Sequence, residues 1–257
     1  MESKAIILKA VNEKRKLLPK LGGRKLHYLI KSEIKDKKVK CGRDKLFDIL
    51  RDENLLIKHK RRYIQTTDSR HWLRKYPNII KNIMPSEPNQ IWVSDITYIR
   101  TEEGFCYLNL ITDKYSRAIV GYAIDDNMES KNMIKAYQMA IKYKHNKIDT
   151  IHHSDRGLQY CSKEYIELAR KNNISISMTE NGDPYENALA ERMNKTLKEE
   201  FGLGKTIKDK KTAMEMTKEA VFLYNNFRPH NALKLRTPLY IHLLKTKIPT
   251  NNLYLQG

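Results

Sequence analysis

The sequence predicts an α/β core on a mixed five-stranded sheet with flanking helices, preceded by a small, basic, all-helical domain of helix-turn-helix type. Three observations carry this. Residues 1–90 hold 24 Lys and Arg against 10 Asp and Glu, a net of +14 out of the +19 carried by all 257 residues. Three amphipathic stretches fill the first part of that basic region. From residue 91 onward, β-branched and aromatic runs alternate with stretches of helical period.

The N-terminal part comes first. Residues 3–18 place Ile6, Ala10, Val11 and Leu17 near one helical face, and Leu21-Gly22-Gly23 is a stop and turn signal. Residues 24–34 turn Leu26, Leu29 and Ile30 inward, and residues 44–51 do the same with Leu46, Phe47, Ile49 and Leu50. Three short helices rich in cations fit a DNA-contacting helix-turn-helix module, with a basic bundle that has no DNA role as the alternative. Lys58, Lys60, Arg61 and Arg62 form a basic run that reads either as a solvated tail or as phosphate contacts. Residues 1–62 are therefore expected to form one domain. Residues 63–88, spaced by Pro77, Pro85 and Pro88, read as a linker.

In the second part, residues 91–99 predict a strand, residues 101–104 a turn, and residues 105–112 and 118–124 two further strands of an antiparallel meander. Residues 130–143 have helical spacing through Met133, Ile134, Tyr137 and Ile141. Residues 150–153 form a short strand, Ser162 opens a helix, and residues 174–178 form the fifth strand. Helices follow over 187–201 and 211–227. Three strands, helix, strand, helix, strand, helix is the order of a ribonuclease H-like fold. It puts a core at 89–203, a C-terminal helix and tail at 204–250, and a possible tag remnant at 251–257.

Composition narrows the function. A charge of +19 points to a polyanionic partner. No run of about 20 apolar residues offers a membrane span, and no secretory signal is visible. The three cysteines, Cys41, Cys106 and Cys161, are scattered, which argues for a reducing, cytoplasmic setting and against a disulfide framework.

Two-metal phosphoryl transfer needs carboxylates from separate elements converging on one point. Asp95 lies inside an apolar strand, where a carboxylate is costly unless paired or metal-bound. Asp155 follows directly on the fourth strand. Glu191 lies on a later helix, where Lys195 and Lys198 share its face at i+4 and i+7 while Leu189, Met193 and Leu197 occupy the other side. A solvated surface charge is the alternative for each of these acids. Placement on the first strand, the fourth strand and a later helix is what singles out the three. Asp113, Asp125 and Asp126 read as turn residues.

Trp92-Val-Ser-Asp-Ile-Thr-Tyr98, His153-Ser-Asp-Arg-Gly-Leu-Gln-Tyr160 and Asn181-Gly-Asp-Pro-Tyr-Glu-Asn-Ala-Leu-Ala-Glu191 resemble the three catalytic motifs of bacterial insertion-sequence transposases with a retroviral-integrase-type core. Tyr224-Asn-Asn-Phe-Arg-Pro-His230 with Thr237-Pro238 resembles their C-terminal signature. The group most resembled makes its enzyme by frameshifting between two overlapping frames, and this chain looks like the second-frame product.

The resemblance implies a DNA transposase that cuts the 3′ end of an insertion sequence and transfers the strand, with Asp95, Asp155 and Glu191 holding two Mg²⁺ ions and Mn²⁺ able to substitute. It implies Asn187 as a residue that braces the carboxylates and Lys198 as a DNA contact; nearness to Asp155 adds His153 as a brace, and the face shared with Glu191 adds Lys195 as a DNA contact. The partners it implies are double-stranded DNA at element ends and target, further copies of the chain, and a first-frame segment bearing a leucine zipper. It places the protein in the bacterial cytoplasm, on the nucleoid. The rival functions are a purely hydrolytic nuclease of the same fold and a non-catalytic DNA-binding regulator descended from a transposase.

Overall fold

A long central strand, β1 (Ile91–Thr101), organises the molecule in this computed structural model. The structure describes residues 2–57, 75–127, 130–142, 144, 148–180 and 187–246. The run holding Lys58, Lys60, Arg61 and Arg62, and residues 251–257, lie outside them.

On one side β1 pairs antiparallel with β2 (Gly104–Asp113), from Trp92 opposite Asp113 to Thr101 opposite Gly104. β3 (Ile119–Asp125) extends the meander. On the other side β4 (Thr150–Ser154) runs parallel to β1, and β5 (Ile174–Met178) runs parallel to β4. The order β3-β2-β1-β4-β5 is the mixed five-stranded sheet expected. Parallel neighbours need a crossover, and helices supply it. α4 (Ser130–Lys142) connects β3 to β4, and α5 (Lys163–Lys171) connects β4 to β5. The Ser162 hydroxyl caps α5 by accepting from the Tyr165 N–H at 3.4 Å.

Helices cover both faces, so β1 is largely buried on both sides rather than alternating. One face packs Trp92 against Met133, Ala136, Tyr137, Ala140, Tyr165 and Ala169 from α4 and α5. Gly121 on β3 makes this packing possible, because a Cβ there would run into the Ala136 carbonyl oxygen. The opposite face packs Ile99, Leu108, Leu110 and Ile119 against α6 (Ala188–Glu200) and α7 (Lys210–Phe227) through Met193, Leu197, Val221 and Tyr224. Asn225 on α7 clasps the outer strand, donating to the Ile119 carbonyl at 2.9 Å and accepting its N–H at 3.0 Å.

Three helices precede the sheet: α1 (Glu2–Leu17), α2 (Gly23–Asp36) and α3 (Arg43–Asp52). They bury Ile7, Leu26, Ile30, Leu46 and Leu50 completely. Each such side chain contributes roughly 1.5–3 kcal/mol relative to exposure. Their core continues into α7 through Leu223, with Phe222 and Phe201 packed against it. The basic helical module is therefore seated on the end of α6 and α7.

Residues 75–88, read as linker from their prolines, run along the sheet instead. The Ile79 N–H donates to Ser177 Oγ at 3.1 Å, the Met178 N–H to the Pro77 carbonyl at 3.4 Å, and Ile80 is buried. Ile79 and Ile80 lie between the prolines, and Ile80 fills a cleft made with Ile91, Val93 and the distant Ala190. The C-terminal part holds a further helix, α8 (Pro238–Thr246), whose His242 meets Ser116 Oγ at 2.9 Å. Among the described residues, no helix is long and apolar enough to cross a membrane.

Candidate active site

The parallel pairing of β1 with β4 sets the site. Val93 lies opposite His153. Asp95 and Asp155 each stand two residues further on, so both leave adjacent strands on the same sheet face. That face is the one α6 covers. Asp95 accepts the Ile96 N–H at 2.9 Å with one carboxylate oxygen and the Asn194 side-chain N–H at 2.8 Å with the other. Asp155 accepts the Gly157 N–H at 3.0 Å, which holds its carboxylate at the turn after β4.

Glu191 sits in the first turn of α6. The start of that helix is tied to β1 because the Asn187 amide donates to the Ser94 carbonyl at 2.9 Å. Asn187 is buried, so the bond is shielded from water.

The three carboxyls feel one another. Burial, and then the charge of Asp155, pushes Asp95 up to about 7, against the bonds from Asn194 and Ile96 that favour its ionised form; Glu191 adds a smaller upward push. Solvent reaches part of Asp95 even so. Glu191 is raised by burial and by Asp155 as well. Hard carboxylate oxygens crowded into mutual repulsion are what a divalent cation relieves. The arrangement is open, however. Among the described residues, no group of three His, Cys, Asp or Glu is tight enough to enclose one ion.

The two lysines of α6 part company. Lys198 Nζ lies 4.4 Å from the centre of the Tyr98 ring. Burial lowers its pKa while the Asp95 charge raises it, so it stands beside the site. Lys195 is exposed and loosely paired with Glu199 at 3.9 Å. At i+4 it shares Glu191's stripe, but the helix lies on the sheet with Ala190, Met193, Asn194 and Leu197 inward, which leaves that position in solvent.

His153 turns toward β5 and meets Ser177 Oγ at 2.9 Å, because the β4–β5 register sets the two opposite each other. His152 is buried on the other face between Tyr165 Oη at 2.7 Å and Ser94 Oγ at 2.9 Å, and burial pushes it down to about 3. It is a neutral core residue. Asn194 is the site residue that sequence reasoning misses. Its signal is a polar side chain within the apolar stripe of α6, where burial requires a partner.

Comparison with known proteins follows the geometry. The family model described as Integrase core domain matches residues 85–184, and a second of the same description matches residues 172–238. These stretches include Asp95, Asp155 and Glu191. The Shigella sonnei protein named Insertion element IS600 uncharacterized 31 kDa protein is 34% identical over 206 residues, covering 79% of this chain and 76% of that protein.

The chain belongs to the insertion-sequence transposases with an integrase core.

Transposase InsF for insertion sequence IS3A from Escherichia coli (strain K12) is 33% identical over 188 residues, which are 71% of this chain and 64% of InsF. Two solved structures share the transposase's fold. The HTLV-2 integrase catalytic core domain, determined with magnesium, has a TM-score of 0.50 and 22% identity, covering 62% of the transposase and 99% of that chain. The simian T-cell lymphotropic virus intasome gives a TM-score of 0.52 and 18% identity, covering 86% and 74%. The transposase thus combines a ribonuclease H-like sheet with a basic helical module placed before it.

Proposed function

We propose that this chain cuts DNA at the 3′ end of an insertion sequence and joins that end to a second phosphodiester. The observation that carries the reading is that Asp95 on β1 and Asp155 just after β4, its parallel neighbour, lie on the sheet face covered by α6, which bears Glu191; burial first, and then the charge of Asp155, raises both Asp95 and Glu191. They supply oxygen donors suited to two Mg²⁺ ions, or Mn²⁺ in their place. Divalent ions bound there would make the attacking oxygen more nucleophilic and neutralise charge on the leaving oxygen.

The protein's own residues do the positioning. Asn194 holds the Asp95 carboxylate in one orientation, and Asn187 fixes the helix that presents Glu191. Lys198 stands ready as a point charge for a phosphate beside the scissile one. A water oxygen attacks phosphorus, the bond to the flanking strand breaks, and a 3′ hydroxyl remains. That hydroxyl then attacks a second phosphodiester, forming one P–O bond as another breaks.

An element has two ends, so joining them calls for more than one copy of the chain on DNA. The helical module and Lys58, Lys60, Arg61 and Arg62 would hold flanking duplex through phosphate contacts. A first-frame segment would contribute end recognition, on the bacterial nucleoid. The deciding experiment presents a duplex with a preformed 3′ hydroxyl end to the protein with Mg²⁺. Joined product supports the transposase; hydrolysis without joining would identify a nuclease, and neither would identify a DNA-binding regulator.

A further inference from the structure

Positive charge gathers where α6 meets the end of α7. Tyr224, fully buried, is the hub. Its hydroxyl donates to the Arg117 carbonyl at 3.1 Å, and the Arg228 guanidinium lies 5.4 Å from its ring centre. Arg228 is 5% exposed and clamps Glu200 with bonds of 2.7 and 2.6 Å. This bidentate pair is closed on itself.

Further cations surround it. The His230 ring, after α7, lies within the fields of Arg228, Lys25 from α2, Arg117 from the β2–β3 turn, and Arg192 from α6. The acids that face these groups are committed elsewhere. Glu200 is held by Arg228. Asp113 accepts from the Ser116 N–H and hydroxyl at 2.6 Å each and from the Asn89 N–H at 2.7 Å. Two buried nitrogens, Arg117 Nε and His230 Nδ1, have no hydrogen-bond partner among the described residues.

Glu200 and Asp113 reach Lys25 and Arg117 only through space, because both are already bonded elsewhere, and partly buried cations so served are costly unless something else supplies negative charge. Burial and the neighbouring cations push Lys25 down to about 8 and His230 to about 3, so the cluster resists further positive charge. An oxyanion with several acceptor oxygens answers this need, and arginine forks suit it well.

We propose that this seam binds a backbone phosphate of duplex DNA, with Lys25 and Arg192 as the contacts and the half-buried Arg117 and the Arg228–Glu200 pair as a rigid wall behind them. Lys25 belongs to the helical module, and Arg192 directly follows Glu191 on α6. A phosphate held here ties the module and the core to one duplex and sets the angle at which that duplex reaches the carboxylates. The inference rests on the DNA-processing reading above.

The test uses the full chain, a chelator to prevent cleavage, and a duplex oligonucleotide of arbitrary sequence. Affinity is measured against salt for wild type, Lys25→Gln, Arg192→Gln and the double variant. One shared phosphate predicts that the double variant flattens the log–log salt slope by about 0.9, rather than about 1.8 for two independent contacts. It also predicts roughly tenfold weaker binding at low salt. Lys25→Arg should keep the wild-type slope.

Unchanged slope and affinity in the double variant, with wild type binding normally, would overturn this site and leave the transposase reading intact. Weaker binding at an unchanged slope would overturn it too, because a disturbed fold lowers affinity without removing a phosphate contact. Failure of wild type to bind duplex at all would overturn both readings.

Discussion

Asp95→Asn should stabilise the metal-free protein at pH 8 relative to pH 4, while abolishing strand cleavage. The Asp95 carboxyl titrates at about 7, against an ordinary 3.8. Each unit of difference corresponds to about 1.4 kcal/mol, so the ceiling on the effect is about 4 kcal/mol. Solvent at the edge of the residue screens part of this, leaving about 2 kcal/mol.

The sign follows from proton counting. Between pH 4 and 7 the native state keeps a proton at Asp95 that the unfolded chain has released. Stability from this group is therefore full below about pH 4 and is lost as pH climbs through 7. An amide has no such loss. The substituted amide does forfeit one hydrogen bond, since a single carbonyl oxygen cannot serve both Ile96 and Asn194, at about 1 kcal/mol. That loss applies at both pH values and drops out of the comparison.

Urea unfolding with chelator at pH 4 and pH 8 measures the difference directly. Wild type should lose about 2 kcal/mol relative to the variant over that interval, and adding Mg²⁺ should restore wild type alone. An offset between the two proteins that is equal at both pH values, or that moves the other way, would refute the argument that burial and the neighbouring carboxylates raise Asp95.

Asn225→Ala should destabilise the protein by roughly 2–4 kcal/mol in chemical unfolding, because it leaves the Ile119 N–H and carbonyl without their partners. Gly121→Ala should cost roughly 1–3 kcal/mol, read as a lowered Tm, because its Cβ meets the Ala136 carbonyl and lies 3.1 Å from Ala140 Cβ. The same change should alter the near-ultraviolet circular dichroism of Tyr137, whose ring stacks 4.8 Å from His152. Lys198→Ala should impair DNA cleavage and raise the DNA concentration for half-maximal rate. It should change stability by no more than about 1 kcal/mol, the worth of its contact with Tyr98. Glu191→Gln, by contrast, should weaken metal binding, which titration calorimetry would separate from the lysine effect.

Most of the sheet is legible in the sequence because its signals are local. β-branched runs, a Ser cap before α5 and helical spacing in α4 each sit within about a dozen residues. The three carboxylates are legible because an acid inside an apolar strand, an acid just beyond another and an acid on an amphipathic helix stand out against their neighbours. The pairing of Lys195 with Glu199, rather than with a site carboxylate, is not legible, because helical spacing assigns a face without saying how the helix rolls on the sheet. The Ser177 partner of His153 is set by the β4–β5 register, which no local pattern contains. The path of residues 75–88 depends on a cleft made by residues far away, and its prolines outweigh Ile79 and Ile80. Asn225 shows the same limit: its partner on β3 is 106 residues earlier in the chain.

The ties that complete the carboxylate cluster also set when it can exist. Asn187 reaches back 93 residues to Ser94, and Asn194 reaches back 99 residues to Asp95. At ribosomal speed roughly 5–20 s separate the emergence of those partners. Throughout that interval the growing polypeptide already carries its basic helical module and its first strands. It lacks the helix that brings Glu191, and the long loop closure is still to come. A nascent or truncated chain ending before α6 therefore has no assembled carboxylate centre, and its helical module still lacks the seat that Phe201 and Leu223 provide.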